Sequence, residues 1–229
     1  MDLNDQLEKV WEKHCSKKTA LVPQYFRNPE DCHVLFIGLN PSFVAPHLTR
    51  WMNSECSIEN AEPTKFFKWH TRKKFVREHC YSEQSFSYKN HPYFGFHRKL
   101  FSDSELNWCH TDLYRIRKSA QNDTLDSLND EFKRESHELF LAHVAGFKPK
   151  VIVVLNAAVF RILKTIDYNV QSTVRFDDHF NDIAGHWWTN VGTEKVPTIY
   201  SGHIGRSLAT PNRQLLEWHI RKILTGIDT

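Results

Sequence analysis

The chain is sparing with cysteine and never spaces it as Cys-x-x-Cys. Its five cysteines, at positions 15, 32, 56, 80 and 109, are odd in number. That argues against a disulfide framework, a zinc ribbon and a compact iron–sulfur signature. The 14 histidines are scattered, with no His-x-x-x-His pair beside a carboxylate, so no metal is expected. No apolar run approaches membrane-spanning length, and the opening Met1-Asp2-Leu3-Asn4-Asp5-Gln6 is too polar for a signal peptide; a reducing cytoplasm and no membrane partner are expected. Charge of one sign is not in excess either: the formal net charge is only +3, so any basic surface for nucleic acid must be local. No repeat, linker or low-complexity tract divides the sequence, and residues 1–229 read as a single domain and a monomer.

What is present is a core. The hydrophobic share is 40% against 25% charged residues, the balance of a globular domain long enough to bury one. Residues 3–17 carry Leu3, Leu7, Val10 and Trp11 at helical spacing. Residues 33–39 form a short apolar strand, and a long irregular region follows to about residue 90. Leu106–Leu113 reads as a second strand with Thr111 and Asp112 at its carboxyl end. The clearest helix spans 126–146, with Leu128, Phe132, Leu139, Phe140 and Val144 on one face. Val151–Leu155 and Val196–Tyr200 are the third and fourth strands, each followed by a helix. Residues 167–195 hold no clear pattern apart from Trp187-Trp188 and fit an insertion or a hairpin. Strands alternating with helices predict a three-layer α/β/α sandwich around a four-stranded parallel sheet.

Two strand ends carry chemistry. Val34-Leu35-Phe36-Ile37 runs into Gly38-Leu39-Asn40-Pro41-Ser42, where Gly38 removes a side chain and Pro41 stops the strand. Ser201-Gly202-His203-Ile204-Gly205-Arg206-Ser207 follows the fourth strand. Ligands of open α/β sheets bind beyond the carboxyl ends of the strands, so Asn40 and His203 are site candidates. Each also has a plain structural alternative, as a loop exit and a core histidine.

In this order the pieces resemble the uracil-DNA glycosylase superfamily, over about residues 32–224 apart from 44–90 and 167–195. Gly38-Leu39-Asn40-Pro41-Ser42 is similar to the Gly-x-Asn-Pro-Gly motif of the mismatch-specific and single-strand-selective branches, with Ser42 in place of a glycine. Phe94–Leu100 resembles the aromatic loop and helix that follow that motif, and Phe147–Leu155 the approach to the third strand. His203 occupies the place of the second motif's histidine, although Ile204-Gly205 replaces Pro-Ser. The resemblance implies base excision from DNA without a cofactor. It also implies a base pocket formed by Gly38, Leu39, Ser42 and Phe43, with Phe43 as stacking partner.

Hydrolysis of an N-glycosidic bond builds positive charge on the sugar and negative charge on the departing base. Asn40 can accept from the attacking water, and a neutral His203 can donate to a base carbonyl. Asp112 aligns with the asparagine that reads the base edge in uracil-specific relatives. An ionised carboxylate only accepts, so Asp112 suits a base offering an exocyclic amine, unless it is a protonated carboxyl; an N-cap or a partner for Arg115 is the structural alternative. Arg115, Arg117 and Lys118, with Arg206 and Ser207, are candidates for the DNA backbone. The stretch 65–77 mixes basic residues, Lys73 and Lys74 among them, with four aromatics. It can hold phosphates and stack bases, or it can be a helix with aromatics inward and charges in solvent. Two other functions remain open: a nucleic-acid binder of the same fold without activity, and a nucleoside or nucleotide hydrolase.

Overall fold

A computed structural model describes residues 2–15, 20–42, 44–55, 62–72, 74–102, 106–118, 128–166, 172–177, 179–182, 185–202 and 210–226. Phe43, Lys73, His203, Arg206 and Ser207 lie outside the described residues. Among the described residues the chain forms eight α-helices and one six-stranded sheet. It divides into two compact units. A helical unit comprises Met1–Arg27, Asn40–Phe94 and Tyr114–Leu139, and a sheet unit comprises Asn28–Leu39, Gly95–Leu113 and Phe140–Thr229.

The sheet unit holds β1 (Val34–Gly38), β2 (Trp108–Asp112), β3 (Val151–Val154), β4 (Val174–Phe176), β5 (Trp187–Val191) and β6 (Glu194–Tyr200), in the order β2-β1-β3-β6-β5-β4. β2, β1, β3 and β6 run parallel, while β5 and β4 add antiparallel to β6. The four strands read from the sequence are therefore the parallel part of a larger mixed sheet, and the expected four-stranded sheet is corrected to six strands. β1 and β3 are interior strands, buried along their whole length, and so show as unbroken apolar runs. β4 is only three residues long, and β5 has a mixed burial pattern, which leaves no run to recognise. Gly192, at φ 62°, makes the tight turn between β5 and β6.

Helices reach the sheet from both faces, because successive side chains of a strand point to opposite sides. On one face His97 of α5 (Gly95–Leu100) packs on Phe36 and Trp108, with ring centroids 4.1 and 5.0 Å away. On the other, Thr111 Oγ1 lies 3.1 Å from His143 Nδ1 on α6 (Asp130–Ala145). Two further helices belong to this unit. In α7 (Ala157–Thr165) Asn156 Oδ1 accepts from Ala158 N at 2.7 Å as the N-cap, and α8 (Thr210–Thr225) starts with Pro211 at a position where proline is tolerated.

In the helical unit, α1 (Leu3–His14), α2 (Ala45–Glu55), α3 (Pro63–Phe66) and α4 (Val76–Asn90) surround a core of Trp11, Tyr25, Trp51, Phe67 and Trp69. The region expected to be irregular to residue 90 thus holds three helices among the described residues. α4 hides in the sequence because Glu83 and Gln84 are buried beside Val76, Cys80 and Phe86, whereas α2 buries Leu48, Trp51 and Met52 at helical spacing, with His47 beside them. Among the described residues no helix is long and apolar enough to cross a membrane.

Candidate active site

Parallel pairing sets Gly38 opposite Asp112 and Phe36 opposite His110. Residues two apart on a strand share a face, so His110 and Asp112 lie side by side over Phe36 and Gly38 at the carboxyl end of β1 and β2. Gly38 leaves the room that this pair occupies. A Cβ at this position would collide with Asp112 Oδ1 and stand 3.2 Å from His110 Nε2. The carboxylate lies across the glycine and meets His110 Nε2 at 3.4 Å, with both side chains almost fully buried. Asp112 thus closes a strand and takes His110 as its partner, which displaces the N-cap alternative. Oδ2 makes no hydrogen bond among the described residues.

His97 stands behind this pair, fully buried, its ring 5.8 Å from that of His110. Burial first, then the nearby His110 and Arg98, hold its pKa well below the usual histidine value, so it is neutral at pH 7. His110 and His97 are the neighbours of Asp112 that the sequence reading missed. The signal for His110 was available: two polar residues at i and i+2 near the carboxyl end of one strand.

Asn40 follows β1 by two residues and is held within the helical unit. Its Nδ2 donates to Lys118 O at 2.6 Å, with Pro41 O and Ile116 O at 3.3 and 3.4 Å. Three carbonyls around one end of the amide fix its orientation. Oδ1 is left as an acceptor, without a hydrogen bond among the described residues. Lys118 N returns a bond to Pro41 O at 3.1 Å, so residues 40–41 and 116–118 form one braced turn. Leu39 is buried and Ser42 exposed.

The arginines expected on the DNA backbone are elsewhere. Arg117, 4% exposed, donates to Glu83 Oε2 at 2.9 Å and lies over the Phe67 ring. Ser87 Oγ donates to the other carboxylate oxygen at 2.9 Å, and His47 Nε2 lies 2.9 Å from that hydroxyl. Arg115, equally buried, stacks on Phe26 at 4.0 Å. These two are corrected to interior cations, since neither can reach a phosphate from where it lies.

The basic aromatic stretch is not the helix of its packing alternative, since the described residues between Phe66 and Val76 are turns and irregular chain, but three of its four aromatics do turn inward. Phe66, Phe67 and Trp69 are core, and Arg72 stacks on Trp69 at 3.5 Å. Arg77 binds Glu8 and Asp5 at 2.9 and 2.8 Å. Lys74 remains exposed, beside the exposed ring of Phe75.

Among the described residues no group of three or more His, Cys, Asp or Glu is placed to hold a metal ion. No family model matches the chain, and no curated protein matches it significantly. The site's reading rests on its own geometry.

Proposed function

We propose that the protein is a monofunctional DNA glycosylase, working without a cofactor as a cytoplasmic monomer in base excision repair, and that its fold is a three-layer α/β/α sandwich. The contacts of α5 and α6 with opposite faces of the sheet support the layering. One observation carries the function: the Asp112 carboxylate, laid across Gly38 and partnered by His110 at the carboxyl end of adjacent parallel strands, where ligands of such sheets bind. A flipped base is read by hydrogen bonds to its edge. Asp112 Oδ2 offers an acceptor, which selects an exocyclic amine.

The bond broken is the one between sugar C1′ and the base nitrogen, and its electron pair leaves with the base. Water adds its oxygen to C1′, and its proton goes to solvent or the departing base. Asn40 Oδ1 accepts from that water, and the clamp on Nδ2 keeps the oxygen in place. His203, outside the described residues, is assigned the stabilisation of the base anion.

The test is release of free base from oligonucleotides carrying uracil, hypoxanthine, xanthine, or deaminated or alkylated bases, one at a time. Asn40→Ala should slow release by roughly 10²–10³, the scale for one lost stabilising group. Steeply salt-dependent DNA binding with no base released from any lesion would instead establish a binding protein.

A further inference from the structure

β2 ends the sheet and pairs with β1. Its Cys109 stands opposite Leu35, and Cys32 lies just ahead of β1. The chain there is drawn onto β2. His33 N and Val34 N both donate to Asn107 O, at 3.1 and 3.3 Å, and Asn107 Nδ2 donates to Asp31 O at 2.7 Å. Cys32 is thereby brought to Cys109: its thiol is in hydrogen-bond contact with the Cys109 side chain and with the Cys109 backbone N–H. Both cysteines are reduced.

The two sulfurs are unequal. Cys32 is 4% exposed, whereas Cys109 is half-buried on the edge strand. The hydrogen bond to Cys109 first, then burial, holds the Cys32 thiol far above the usual thiol value, so it keeps its proton at neutral pH. An oxidant arriving from solvent therefore meets Cys109 first, with Cys32 beside it as a second thiol, the arrangement of a reversible redox pair. Burial raises the thiols of Cys15 and Cys80 to about 11 and about 12, which makes them slow to react.

We propose that Cys32 and Cys109 are a redox modification site, joined as a reversible disulfide by a hydroperoxide. In the first step Cys109 Sγ takes one oxygen of hydrogen peroxide; the O–O bond breaks, and the other oxygen leaves as water with the thiol proton. In the second step Cys32 Sγ attacks the sulfenic sulfur of Cys109. The S–S bond forms, the S–O bond breaks, and the oxygen departs as a second water with the Cys32 proton. The two thiols give up two electrons, and one peroxide is reduced to two waters. Such a bond is transient where the thiol pool is reduced, which separates it from a structural framework. It would tie the entry of β1 to β2, and so pin the register that lays Asp112 over Gly38. The assignment stands whether or not the protein excises bases.

The experiment treats the full chain with hydrogen peroxide, counts thiols after unfolding and maps the product by peptide mass. The chain should lose two of its five thiols, yield a cross-linked peptide joining positions 32 and 109, and recover both thiols in dithiothreitol. Hydrogen exchange at the β2 amides should slow in the oxidised form. In Cys32→Ser the reaction should stop at a sulfenic acid on Cys109, trapped by dimedone; in Cys109→Ser, Cys32 should stay reduced. Should either variant fail to fold, the map of the unaltered chain decides alone. Thiols that all survive peroxide, a link through another cysteine, or a Cys109 sulfinic acid beside a reduced Cys32 would overturn the proposal.

Discussion

Replacing Gly38 with alanine tests the strand-end geometry without touching any polar atom. The new methyl would meet Asp112 Oδ1 in a hard collision and crowd His110 Nε2 and Cε1 at 3.2 and 3.3 Å. Gly38 is not among the glycines with positive φ, so the cost comes from the contact and not from the backbone. Forcing one extra carbon into a packed site costs about 1–3 kcal/mol. In a chain of this size each kcal/mol lowers the melting temperature by roughly 2–4 °C, so Gly38→Ala should lower it by about 2–12 °C. The decisive step is a cycle. Asp112→Ala removes the oxygen that the methyl strikes, and in that background Gly38→Ala should be nearly neutral, because alanine there also restricts the unfolded chain. The expected coupling between the two sites is about 0.5–3 kcal/mol, measured by urea or thermal unfolding. If the two changes prove additive, the carboxylate does not lie over Gly38 and the site as described is wrong.

Two further outcomes follow from buried charge. Arg117→Met strands the Glu83 carboxylate inside the helical unit and should cost about 3–5 kcal/mol; adding Glu83→Gln should restore most of it, read from the urea midpoint, and no recovery would contradict the pair. His137, whose Nε2 lies 2.9 Å from the Tyr114 hydroxyl, has its pKa lowered to about 4, by burial first and then by Lys133. Because the folded pKa lies below the unfolded one, the unfolded state binds the proton first. Stability should therefore fall as pH drops from about 6.5 to about 4, by up to about 1.4 kcal/mol per pH unit from this group. His137→Gln should flatten that slope, and an unchanged pH profile would show that His137 takes no part.

The strands that were easy to read are those buried on both sides. Val34–Ile37 and Val151–Val154 stand out because an interior parallel strand tolerates apolar residues at every position. α4 was missed for the opposite reason, since Glu83 and Gln84 are buried on it and blur the helical pattern; α2 keeps Leu48, Trp51 and Met52 at helical spacing, and that signal was overlooked. Arg117 looked like a surface cation because its partner Glu83 lies 34 positions away. Asp112 and Gly38 were legible one by one, since each sits at a strand end. That they touch, and that His110 joins them, depends on the register between β1 and β2, which no local pattern fixes.

The central claim is that Asp112 reads the edge of an excised base. Asp112→Asn keeps the volume, turns one acceptor into a donor, and leaves Gly38 unchanged. In a competition between a uracil oligonucleotide and one carrying an amine-bearing base, at a single salt concentration, the ratio of released bases should shift toward uracil. One good edge contact is worth about 1–3 kcal/mol of discrimination, so the shift should be roughly 10- to 100-fold. The same ratio from both proteins would show that Asp112 does not read the base.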